Sequence, residues 1–155
     1  MSKRIPLQEV LPVMQEVLNS GGEFNMVTAG MSMYPLLRDR KDSVVLIKPG
    51  KSLKKYDVAL YRRNNGAFVL HRVVGIAKDG YIFCGDNQLV KERGISHSQV
   101  IAVMKAYVKD GKRVSCQSFG YRIYTVQRCC LRPVRKVGTA LRRLAGALKR
   151  NLLNK

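Results

Sequence analysis

Residues 56–85 read YDVALYRRNNGAFVLHRVVGIAKDGYIFCG, and this stretch decides the fold class. Three short runs rich in β-branched and aromatic residues are divided by Asn64-Asn65-Gly66 and by Lys78-Asp79-Gly80. Asn, Asp and Gly accept the backbone conformations of tight turns, so each divider reads as a hairpin and leaves no room for a crossover helix. The same signals recur on either side. EFNMVTAG (23–30), DSVVLIKP (42–49), QVIAVMKAYVKD (99–110) and KRVSC (112–116) are strand-like, with Pro49-Gly50 and Asp110-Gly111 as punctuation. Seven short strands without long helices between them predict a mainly β protein, a coiled antiparallel sheet or barrel.

Helical spacing brackets the strands. In IPLQEVLPVMQEVLN (5–19) the apolar positions are 7, 10, 11, 14, 17 and 18, and Gly21-Gly22 stops the pattern. Pro12 falls inside it and predicts a kink or a late start. After Phe119 the chain turns helical again through YRIYTVQRCCL, breaks at Pro133, and resumes as VRKVGTALRRLAGALKRNLL. The expected division is an N-terminal helix over 1–22, a β body over 23–117 and a basic helical tail over 118–155.

The net charge is +19, and it is unevenly spread. Residues 1–110 hold 17 basic groups and all 10 acidic ones, whereas residues 111–155 hold 12 basic groups and no acid. Such a tail calls for a polyanionic partner. Val134, Val137, Leu141, Leu144, Leu148 and Leu152 recur at steps of three and four, with Arg135, Lys136, Arg142, Arg143, Lys149 and Arg150 mainly between them. A basic amphipathic helix of this kind suits an anionic membrane surface, and the competing expectation is a helix packed on its own domain. Nucleic acid is disfavoured, because no aromatic residue follows Tyr124 to stack on bases. No secretory signal opens the chain, and the longest uncharged stretch, FNMVTAGMSMYPLL (24–37), is too short to span a bilayer. Cys84, Cys116, Cys129 and Cys130 form no metal-ligand spacing, which points to thiols in a reducing cytosol.

Three segments carry the chemistry: GMSMYP (30–35), VLHRVVGI (69–76) and CGDNQ (84–88). Ser32 stands between two methionines, a hydroxyl at the edge of an apolar surface, with Met31 and Met33 expected in the core or lining a pocket. Ser32, His71 and Asp86 supply the residue types of nucleophile, general base and orienting group. Each has a plainer reading as well, His71 as a structural strand residue and Gly85-Asp86-Asn87 as a turn. Arg62-Arg63 reads as a charged hairpin end, and His97 as a residue of a polar turn.

The order Gly-x-Ser-Met-x-Pro, then His-Arg-Val-Val, then Gly-Asp-Asn resembles the type I signal peptidase superfamily. The histidine resembles its archaeal and endoplasmic-reticulum branch, and the likeness extends over about residues 24–105. The self-cleaving SOS repressors share that fold. The resemblance implies Ser32 as nucleophile, His71 as general base and Asp86 as a candidate to orient or charge the base. Met33 and Pro35 would shape the turn that presents Ser32. Gly30 brings no hydroxyl, which leaves the backbone N–H of Ser32 to stabilise the oxyanion, a contribution of about 3 kcal/mol. No metal or organic cofactor is implied. The chain departs from the pattern in having a polar-faced helix where relatives carry a membrane anchor. It also reads Lys91-Glu92-Arg93 where relatives often have another aspartate. The function expected is a peptidase on the cytosolic side, cleaving a precursor or leader peptide and held peripherally at the membrane. The alternatives are a non-catalytic peptide- or membrane-binding relative and a self-cleaving regulator. The stretch before Ser32 is short for the second.

Overall fold

A computed structural model describes residues 6–131 and 137–138. Among them the order of elements is α1 (Leu7–Asn19), β1 (Phe24–Val27), β2 (Ser43–Ile47), β3 (Val58–Arg62), β4 (Phe68–Ala77), β5 (Gly80–Cys84), β6 (Glu92–Ile95), β7 (Val100–Lys109), β8 (Lys112–Ser115) and α2 (Phe119–Cys130). The strands form one antiparallel sheet in the order β1-β2-β7-β3-β4-β5-β6, with β8 added to β7. The seven expected strands are present and the sheet is open rather than a closed barrel. The eighth, β6, was not foreseen: Glu92-Arg93-Gly94 lacks the β-branched signature, and pairing with Tyr81 and Phe83 makes the strand.

The hairpins fall where the turn residues put them. Phe68 pairs with Arg62 across Asn64-Asn65-Gly66, and Gly80 pairs with Ala77 across Lys78-Asp79. Register shifts at Val45/Leu46, Leu60/Tyr61 and Val73/Gly75 interrupt the ladders. Bulges of this kind raise the local twist and let a sheet curl over its own core. The result is that β3 is buried on both faces. Val58 and Leu60 join Met14, Leu18, Leu37 and Met104 in one apolar cluster, while Ala59 and Tyr61 join Val73, Phe83 and Val100 in another.

α1 runs unbroken from Leu7 with Pro12 inside it, and buries Met14 and Leu18. α2 is capped by Ser118, whose hydroxyl accepts from the Tyr121 N–H, and it buries Tyr121 and Thr125. The first part of the expected tail is thus docked on the β body. The expected membrane contacts Arg135, Lys136, Arg142, Arg143, Lys149 and Arg150 lie outside the described residues. Among the described residues no helix is long and apolar enough to cross a membrane.

Candidate active site

The Ser32 loop leaves β1 through Gly30, whose φ of 93° lies in the left-handed region that favours glycine. The Gly30 N–H donates to Asp39 Oδ1 at 2.7 Å. Met33, Leu36 and Leu37 then plunge into the core, so apolar burial holds the far side of the loop. Met31 does not follow them: it is 52% exposed, because the turn points it away from the body. The Tyr34–Pro35 peptide is cis.

Three separate elements fasten this loop. Asn87 donates its N–H to the Ser32 carbonyl at 2.8 Å. From β7, Lys109 Nζ donates to the Pro35 carbonyl at 2.7 Å. From α2, Arg128 Nη2 donates to the carbonyls of Tyr34 and Asp86, each at 3.1 Å. Gly85 has a steric reason to be glycine, since a Cβ there would sit 2.6 Å from the Ser32 carbonyl oxygen. The Gly-Asp-Asn segment therefore clamps the serine loop through backbone contacts on either side of Asp86.

Successive residues on β4 face opposite ways, and here both are buried. Arg72 reaches toward α2, giving Asp86 two hydrogen bonds, from Nε to Oδ1 at 2.8 Å and from Nη2 to Oδ2 at 2.7 Å. Its Nη1 donates to the Tyr121 hydroxyl, the Thr125 hydroxyl and the Tyr56 carbonyl. Tyr124 adds a hydrogen bond from its hydroxyl to Asp86 Oδ2. Asp86 is thus engaged by Arg72 and α2, in a role that ties strand, turn and helix together.

His71 looks the other way. Its Nδ1 lies 3.2 Å from Glu92 Oε1 and 3.3 Å from the Tyr61 hydroxyl. Glu92 in turn is gripped by the Arg63 guanidinium, whose Nε donates to Oε2 at 2.7 Å. The carboxylate at the imidazole is therefore Glu92, from the strand that was not foreseen. With Nδ1–H donated to Glu92, the neutral tautomer leaves Nε2 as a lone-pair acceptor. Burial pushes the His71 pKa below its ordinary 6.5, against the opposing pull of Glu92. Arg63 holds the Glu92 carboxyl below the usual range. A pKa held below 6.5 favours the neutral imidazole at neutral pH.

Ser32 and His71 line one cavity of about 770 Å³. Its walls come from α1 (Leu7, Val10), β1 (Phe24, Met26), the serine loop and the β3–β4 hairpin (Arg63, Phe68, Leu70). That is the size and apolar character of a site for a small ligand or a peptide segment. Among the described residues, Ser32 Oγ and the Ser32 N–H make no hydrogen bond, to His71 or to any other residue. Chemically, the set combines an uncommitted hydroxyl, a neutral imidazole oriented by a carboxylate, and a backbone N–H beside the hydroxyl.

The sequence singled out Ser32, His71, Asp86, Gly30, Met33 and Pro35; of these Gly30, Ser32, Met33 and His71 line the cavity, whereas Pro35 and Asp86 do not. It missed Tyr61, Arg63 and Glu92, because a strand tyrosine, a hairpin arginine and a glutamate in a basic run look like ordinary structural or surface residues. In comparisons with known proteins, no family model and no curated protein matches the chain.

Proposed function

We propose that this chain is a serine peptidase of signal-peptidase type that cleaves a precursor or leader peptide on the cytosolic side. One observation carries the proposal: Ser32 and His71 open on the same apolar cavity, with His71 Nδ1 held by Glu92. The motif order that resembles type I signal peptidases supports it as well. In this reading Ser32 Oγ attacks the scissile carbonyl carbon while His71 Nε2 takes the hydroxyl proton. The Ser32 N–H receives the developing oxyanion. His71 returns the proton to the departing amine, and a water, deprotonated by the same nitrogen, hydrolyses the acyl ester on Ser32. The Glu92 carboxylate fixes the imidazole tautomer and stabilises the imidazolium that forms in between. Asp86 keeps Gly85 and Asn87 against the nucleophile's carbonyl and takes no part in proton transfer.

The test is to incubate the protein with precursor peptides encoded beside it and analyse the products by mass spectrometry. Discrete cleavage by the native chain and none by Ser32→Ala is the expected result. Cleavage that persists at the same bonds in Ser32→Ala would refute the assignment.

A further inference from the structure

The outward side of α2 is apolar where a surface helix should be polar. Phe119, Ile123 and Val126 stand 79, 43 and 48% exposed, and Cys130 is exposed beside them. Their spacing of four, three and four residues puts all four on one side of the helix. Tyr121 and Thr125 occupy the opposite side and are buried. α2 therefore carries apolar side chains on two faces and satisfies only one of them within the described residues.

We propose that the outward face of α2 docks on an anionic lipid bilayer. The charge argues for the sign of the partner: Arg122 is exposed beside the stripe, and residues 111–155 hold 12 cations and no acid. The dimensions argue for a bilayer over a protein. Twelve residues of helix are about 18 Å long, and one such stripe falls short of the roughly 1,000 Å² that a stable protein interface requires. A bilayer asks only that the stripe sink about 5–10 Å into the interfacial region. The inner face of α2 binds Arg72, Asp86 and the Tyr34 carbonyl. Docking consequently fixes the Ser32 loop, with its exposed Met31 and Tyr34, at a set distance from the membrane. The proposal uses neither Ser32 nor His71, so it goes beyond the peptidase reading and survives without it.

The experiment compares full-length native protein, Ser32→Ala and the triple variant F119S/I123S/V126S. Each is co-sedimented with vesicles of phosphatidylcholine alone and of phosphatidylcholine with phosphatidylserine. A melting curve and a light-scattering mass are taken for each. The native protein and Ser32→Ala are expected to bind the anionic vesicles equally, and less as salt rises. The triple variant should bind at least about tenfold more weakly, with unchanged melting and mass. Four results overturn the proposal. Native protein that binds no vesicles points to a protein partner instead. Undiminished binding by the triple variant assigns the lipid contact to other residues. A lower melting temperature in the variant means that the chain itself covers the stripe. A native oligomer that the variant dissolves means that a second copy covers it.

Discussion

Asp86 and Glu92 show how two carboxylates of one site take different work from their surroundings. Asp86 is wholly buried and is matched to an equally buried Arg72. Removing it leaves a guanidinium in the interior without its counter-charge, so Asp86→Ala should cost about 3–5 kcal/mol of stability. Urea or thermal unfolding measures this, and an unchanged melting curve contradicts the structural role. Glu92 is partly exposed and touches the imidazole. Glu92→Gln should leave folding nearly intact and lower kcat on the order of 10²-fold or more, because tautomer and orientation are lost.

The lowered His71 pKa also has a sign. In the proposed mechanism His71 must be neutral to accept the Ser32 proton, so activity should rise with pH through a midpoint below 6.5. Glu92 raises that pKa against burial, so Glu92→Gln should move the rising limb further down. For stability, the unfolded chain takes up a proton at this histidine below pH 6.5 while the folded chain resists it. The His71 contribution is therefore fully present above 6.5 and is lost as pH falls through the folded-state pKa. A kcat/KM profile with its lower limb above 6.5 contradicts this account.

At the scale of elements, the turns and strand periodicities were legible because they act locally. Asn64-Asn65-Gly66 closes β3 on β4 and Lys78-Asp79 closes β4 on β5 by backbone preference alone. β6 was illegible because its register comes from β5, and a run containing Lys91, Glu92, Arg93 and Gly94 has no strand signature of its own. Gly85 was legible as a turn residue but not as a contact, since its neighbour in space, Ser32, is far away in sequence. That contact yields a prediction. Gly85→Ala puts a methyl group 2.6 Å from the Ser32 carbonyl and must displace the serine loop. A shift of about 1 Å at a nucleophile costs on the order of 10²-fold in rate. The variant should therefore keep its fold by circular dichroism and lose most of its activity; full activity means that the clamp is not needed.

Across the whole molecule, the three motif segments converge through the coiling of the sheet. Ser32 leaves its first strand, His71 lies on its fourth, and Gly85-Asp86-Asn87 follows its fifth. The bulges and the α2 clamp bring them together. Their order along the chain suggested a common site. Which acid meets the imidazole could not be read there, because Asp86 and Glu92 are close in sequence and diverge only when Arg72 and Arg63 select between them. The most direct test is mass-spectrometric mapping of new termini in a proteome-derived peptide library after incubation with the native chain, Ser32→Ala and His71→Ala. The account predicts a defined set of cleavages with native protein that is absent from both variants. The same termini in either variant, or no cleavage by the native chain, would contradict a Ser32–His71 peptidase.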